Sequence, residues 1–123
     1  MFMSSDSLTD ASGLDLGGIT LSEHCYNSMF DSCTALANAP KLSAKTLAGY
    51  CYCRMFSGCT SLTAAPALPA TTLADDCYMD MFSYCAKINE LHYPASIEND
   101  STFTSMSGYP KFGATNATAI FDL

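Results

Sequence analysis

One nine-residue word constrains this chain more than anything else in it. Cys25-Tyr26-Asn27-Ser28-Met29-Phe30-Asp31-Ser32-Cys33 returns as Cys51-Tyr52-Cys53-Arg54-Met55-Phe56-Ser57-Gly58-Cys59, then as Cys77-Tyr78-Met79-Asp80-Met81-Phe82-Ser83-Tyr84-Cys85. The copies start 51 − 25 = 26 and 77 − 51 = 26 residues apart. A fixed period of this length is the mark of a solenoid, in which each coil stacks on the last and covers its apolar face.

The repeat runs past the word. Leu21, Leu47 and Leu73 precede it; Leu36, Leu62 and Ile88 follow it. Pro40 and Pro66 also match, as do Leu42 and Leu68. A fainter coil opens the chain, where Met1-Phe2 and Ser7-Leu8-Thr9 match Met55-Phe56 and Ser61-Leu62-Thr63 at a spacing of 29 − 1 = 28 from the next coil. Leu73, Cys77, Met81 and Cys85 fall four apart, which predicts an apolar helix face. Short helices are expected over about 21–32, 47–58 and 72–84. Thr71 or Thr72 would cap the third, with Asp75 and Asp76 near its positive end. Gly58 would close the middle one, and Ser32 and Tyr84 hold the same place in the others.

The return segments, such as Leu62 to Leu68, should be extended, as short strands or bridges, because Pro66 disfavours a central strand. Ile88 to Pro94 is the better strand, with Leu91 and Tyr93 alternating. Beyond Pro94 the period fades. Phe103, Met106, Tyr109 and Phe112 are apolar but out of register, and Ala117 to Leu123 reads as a strand. The expected organisation is one α/β domain: a solenoid of about three to four 26-residue coils over 1–94 and a C-terminal β cap over 95–123.

Positions that repeat read as packing ladders. They are Cys25/Cys51/Cys77, Met29/Met55/Met81, Phe30/Phe56/Phe82, Cys33/Cys59/Cys85 and Leu36/Leu62/Ile88. Six of the seven cysteines sit at the two ends of the word, where buried free thiols serve as small hydrophobes. Disulfide pairing is the alternative for so cysteine-rich a chain. Cys53 is expected to point outward, since its counterparts are Asn27 and Met79. Tyr26, Tyr52 and Tyr78 suit an aromatic stack at the core margin or a binding stripe.

With the coil written out, the chain resembles the bacterial surface protein 26-residue repeat family, within the BspA-like leucine-rich repeats. Met55-Phe56-Ser57-Gly58-Cys59-Thr60-Ser61-Leu62-Thr63, followed by Pro69-Ala70-Thr71-Thr72-Leu73-Ala74, carries the resemblance, as does Leu91-His92-Tyr93-Pro94. The resemblance implies a right-handed leucine-rich-repeat-like solenoid displayed on a bacterial surface and linked to adhesion and recognition. It also extends to proteins of phages that infect gut bacteria.

Residues that break the repeat are the candidates for contact with a partner. They are His24, Tyr50 and Asp76 in one row, and Arg54 and Asp80, with Ser28, in another. Glu23/Gly49/Asp75 and Asn27/Cys53/Met79 vary too. No catalytic set is expected. The chain has two histidines, and His24 and its neighbour Cys25 would point about 100° apart on a helix. No metal or cofactor is expected either: Cys51-x-Cys53 stands alone, and Asp76 and Asp80 read as a solvated helix face. Asn99 and Asn116 open glycosylation-type triplets.

The charge narrows the partners. Twelve acidic against five basic residues give −7, which disfavours nucleic acid and anionic membrane. No apolar run approaches the roughly 20 residues of a membrane span. Met1-Phe2-Met3-Ser4-Ser5-Asp6 is no signal peptide. The expected function is a non-enzymatic binding or adhesion module of a bacterial surface protein. It would recognise a protein or glycan on a host or neighbouring cell, and could self-associate through its N-terminal face. The alternative is a structural or receptor-binding component of a phage particle, placed in the virion.

Overall fold

The computed structural model describes residues 2–17, 20–106, 112–114 and 117–123. None of the three words is helical; each is a run of hydrogen-bonded turns. The helices expected over about 21–32, 47–58 and 72–84 are absent for a backbone reason. Every fourth residue is left-handed: His24, Ser28 and Ser32 have φ of 58°, 57° and 61°. Tyr50, Arg54 and Gly58 follow at 56°, 55° and 77°, and Asp76, Asp80 and Tyr84 at 51°, 50° and 65°. A right-handed helix cannot hold such residues. Each instead falls third in a four-residue turn, the position where a type II turn needs positive φ. Cys25 N–H donates to Ser22 O, Met29 N–H to Tyr26 O and Cys33 N–H to Phe30 O, at 3.0–3.2 Å. Gly58, expected as a helix stop, is the last left-handed residue of its run, and neither Thr71 nor Thr72 caps a helix.

The other N–H groups tie one copy to the next. His24, Tyr26, Ser28, Phe30 and Ser32 donate to the carbonyls of Gly49, Cys51, Cys53, Met55 and Ser57 at 2.7–3.0 Å. Tyr50, Tyr52, Arg54, Phe56 and Gly58 donate in the same way to Asp75, Cys77, Met79, Met81 and Ser83. Each bond spans 49 − 24 = 25 residues, one fewer than the period. Three parallel courses thus lie side by side, with alternate amides closing turns and alternate amides bonding across.

This geometry explains the apolar pattern. Two adjacent residues in every four point inward, as Cys51-Tyr52 and Met55-Phe56 do, and all four are at most 1% exposed. The rings of Phe2, Phe30, Phe56 and Phe82 form one column at 5.4, 5.5 and 5.7 Å, within 7° of parallel. Tyr26, Tyr52 and Tyr78 form a second at 6.1 Å per step. Burying each phenylalanine contributes about 1.5–3 kcal/mol. Met29, Met55, Met81, Cys33, Cys59, Cys85, Leu36, Leu62, Ile88, Cys51 and Cys77 are buried with them.

Two cysteines depart from expectation. Cys25 is exposed, because it belongs to the first course and no described backbone lies over it. Cys53, expected outside, is 3% exposed. It sits in the middle course, flanked on both sides, and Ser57, four residues on, is buried likewise.

The ends are finished differently. Phe2 N–H donates to Met29 O at 3.0 Å and Ser4 N–H to Asp31 O at 2.7 Å. These bonds span 29 − 2 = 31 − 4 = 27 residues, again one fewer than the local spacing of 28. Met1, half of the sequence match there, lies outside the described residues. At the other end Phe82 N–H donates to Phe112 O at 2.9 Å. Gly113 then turns with φ 89°, and an added Cβ would meet Ser83 Cα at 2.8 Å. Phe103, Met106 and Phe112 are buried although out of register, whereas Tyr109 is outside the described residues.

Single parallel bridges join the return segments: Asp10 with Asn38, Asp15 with Lys41, and Thr46 with Thr72. Strands form in the two late segments expected to hold them. β1 (Glu90–His92) pairs in parallel with β2 (Thr118–Ile120). Between them lie a 3-10 turn (Ala95–Ile97) and the four-residue helix α1 (Ser101–Thr104). Asp100 starts α1 by accepting from Thr102 N–H at 2.8 Å.

Candidate functional site

The five residues singled out for varying between copies share one backbone feature. His24, Tyr50, Arg54, Asp76 and Asp80 all occupy left-handed positions of the turn runs. They fall in two rows across the courses: His24, Tyr50, Asp76, and Ser28, Arg54, Asp80. Ser32, Gly58 and Tyr84 make a third row of the same kind. Tyr84 is 80% exposed and was not among the candidates. Its place four residues after Asp80 was the signal that marks it.

The first row is in contact along its length. The His24 ring stacks on Tyr50 at 4.8 Å and 10°. Beyond it, the Asp76 carboxylate raises the Tyr50 pKa above the usual phenol value, through attraction to the hydroxyl proton and through its charge. Asn27 holds the imidazole from the other side, 3.1 Å from Nδ1. The second row is looser. Arg54 Nε lies 3.8 Å from Asp31 Oδ2, a neighbour in the first course, and its side chain stays 55% exposed. Such an exposed pair contributes at most about 1 kcal/mol and leaves the guanidinium available.

The buried thiols form part of the frame. Burial pushes Cys51, Cys59 and Cys77 up to about 12 and Cys85 to about 11. All four are protonated at neutral pH and poor nucleophiles. Their protons have a use. Cys33 Sγ donates to Phe2 O at 2.8 Å, Cys59 Sγ to Phe30 O at 3.1 Å and Cys85 Sγ to Phe56 O at 3.0 Å. Each thiol thus bonds back to the previous course. All seven cysteines are free.

The larger clefts lie away from the rows. One of about 570 Å³ is lined by Gly17, Thr20, Leu21, Ala44, Lys45, Thr46 and Leu47. An apolar one of about 370 Å³ runs along Pro40, Leu42, Pro66 and Pro69. The rows themselves set varied side chains side by side on adjacent courses, an arrangement suited to a broad partner more than to a small enclosed molecule.

A separate polar cluster closes the C-terminal strand. His92 Nδ1 lies 2.9 Å from Asp122 Oδ1, and Nε2 lies 3.2 Å from Glu90 Oε1. The Asp122 hydrogen bond raises the imidazole pKa above 6.5. Among the described residues no group of three His, Cys, Asp or Glu is placed to hold a metal ion, since Asp122 and Glu90 lie on opposite nitrogens of His92, and no helix is long and apolar enough to cross a membrane. Comparison with protein-family models, with curated proteins and with solved structures returns no match.

Proposed function

We propose that this chain is a non-enzymatic recognition module, a right-handed repeat solenoid of the BspA-like kind displayed on a bacterial surface. The observation that carries the reading is that every left-handed row changes its side chains from course to course. His24, Tyr50, Arg54, Asp76 and Asp80 change from course to course, while the Cys, Tyr, Met and Phe positions between them stay fixed. A constant frame bearing changing side chains is how repeat proteins build binding surfaces. The partner is a protein or glycan of a host or neighbouring cell, met by a strip that carries aromatic, cationic and acidic groups in turn.

A glycan array and a host-cell binding assay test this. Glycine is the informative replacement, because it removes the side chain at a position whose φ it tolerates. Tyr50→Gly, Arg54→Gly and Asp76→Gly are expected to keep the fold and lose at least about tenfold in binding, which is about 1.4 kcal/mol. Full binding by all three would reject this surface.

A second reading places the chain on a phage particle, using the same strip for receptor binding. Seven free thiols favour it, since virions assemble in a reducing cytoplasm. Recovery of the chain with purified virions, and its absence from washed cell surfaces, would select that reading.

A further inference from the structure

The third row of left-handed residues contains a gap. Ser32, Gly58 and Tyr84 follow one another across the courses, held by Ser32 N–H to Ser57 O at 2.7 Å and Gly58 N–H to Ser83 O at 2.8 Å. A Cβ added at Gly58 would lie 3.4 Å from Ser32 Cα and Oγ, so the missing side chain keeps the middle of the row open. Beyond the gap comes Tyr84, 80% exposed, with no ring on it and no hydrogen bond to its hydroxyl among the described residues. On the near side, Ser32 Oγ donates to Asp31 Oδ1 at 2.9 Å, and Asp31 Oδ2 lies 3.8 Å from Arg54 Nε. Ser57 precedes the gap and is 4% exposed, yet its hydroxyl makes no hydrogen bond among the described residues. Only Tyr52 carries a side-chain oxygen there that is both sealed and unpaired, so the Ser57 hydroxyl keeps a narrow opening to solvent.

We propose that this gap is a binding site for a neutral glycan, with one pyranose ring packed on Tyr84 and sugar hydroxyls reaching Ser57, Asp31 and Arg54. The inference rests on the recognition reading above and chooses the glycan over the protein. The chemistry of the groups makes the choice. Arg54 only donates, ionised Asp31 only accepts, and the Ser57 hydroxyl does both. Sugar hydroxyls, which also do both, can satisfy all three at once. An anion would pair with Arg54 but meet Asp31, in a chain of net charge −7. A cation would pair with Asp31 but meet Arg54. An apolar protein surface would seal the Ser57 hydroxyl and leave it unpaired. Tyr84 supplies an apolar ring face for the CH-rich side of a pyranose, with its polar tip in water. Size agrees as well. Ser32 and Tyr84 are two courses apart, and the Phe column sets one step at 5.5–5.7 Å, which leaves room for more than one sugar ring.

The test follows the isotope-labelled intact chain by NMR during titration with neutral oligosaccharides of glucose, galactose, mannose and N-acetylglucosamine. At least one is expected to shift the Arg54, Ser57, Gly58 and Tyr84 amides saturably, with a Kd of about 1 mM or tighter. Tyr84→Phe keeps the ring and should bind within about twofold. Tyr84→Gly, at a φ of 65° that glycine tolerates, should bind at least about tenfold more weakly. Gly58→Asn fills the gap with a residue suited to left-handed backbone and should lose as much. No saturable shift from any of the sugars, shifts confined to other residues, or equal shifts from tetralysine would each overturn the proposal. Host-cell binding that survives Tyr84→Gly and Gly58→Asn but not Tyr50→Gly would overturn this site and leave the recognition reading standing. Sugar binding with the expected pattern, on a chain that no host cell retains, would keep the site and overturn the surface reading.

Discussion

Left-handed backbone is the residue-scale fact that organises this protein. Eight of the nine left-handed positions in the three turn runs hold a residue other than glycine. An L-residue there costs about 1–2 kcal/mol; a glycine relieves that strain, and its freer unfolded state offsets part of the gain. Ser32→Gly, copying Gly58 of the next course, should therefore raise stability by about 0.5–1 kcal/mol in urea unfolding. A loss of stability would mean that the Ser32 side chain contributes more than its backbone strain. The thiol ladder makes a second prediction. Cys59→Ala removes the Sγ donor to Phe30 O and leaves a small void, which should cost about 1–2 kcal/mol. Cys59→Ser keeps a donor in place and should cost less, as read by the same urea midpoints. The sequence showed which residues are buried, since Cys-Tyr and Met-Phe recur as doublets every four. It hid the backbone, because a four-residue spacing lies close to the 3.6-residue helical period. The doublet was the discriminating signal: adjacent residues both facing inward fit a turn run better than one face of a helix.

Among the elements, the best-formed pairing is β1 with β2, and a histidine bolts it. His92 reaches Asp122 beyond β2 and Glu90 within β1. Its folded pKa is raised above 6.5, mainly by the Asp122 hydrogen bond, so the folded state favours the charged imidazole. The stabilisation is fully present below the unfolded value, with the carboxylates ionised, and fades as pH rises through the raised folded value. Hydrogen exchange of the Thr118–Ile120 amides should thus show protection, corrected for intrinsic rate, falling as pH rises above the ordinary imidazole value of about 6.5. His92→Gln should remove that dependence, and an unchanged pH profile in the variant would disprove the link. Leu91 and Tyr93 revealed this strand in the sequence through simple alternation. The last buried residues were not legible in the same way. Phe103, Met106 and Phe112 follow no 26-residue period, although Phe112 O still accepts the ladder bond from Phe82 N–H.

Across the whole molecule, register belongs to the words and length belongs to the returns. Phe2 and Ser4 bond over a span of 27, the central courses over 25, and Phe82 to Phe112 over 112 − 82 = 30. The ladder bond survives all three, so the intervening segments absorb the difference. In the proposed solenoid, stability is then close to a sum of courses and their interfaces. An extra course made by duplicating residues 51–76 should fold, keep the 26-residue register and add a further buried Phe and Tyr to each column. Thermal unfolding should rise by several degrees, roughly the effect of 1–3 kcal/mol in a domain of this size. Placement decides the outcome of smaller changes. One alanine inserted between Ala64 and Ala65, in a return segment, should be nearly neutral. One alanine inserted between Arg54 and Met55 would move the later left-handed position of that course from Gly58 onto Ser57. It would also turn Met55 and Phe56 out of their columns. That variant should lose cooperative unfolding by circular dichroism. If both insertions behaved alike, the turn run would not be the element that sets the register.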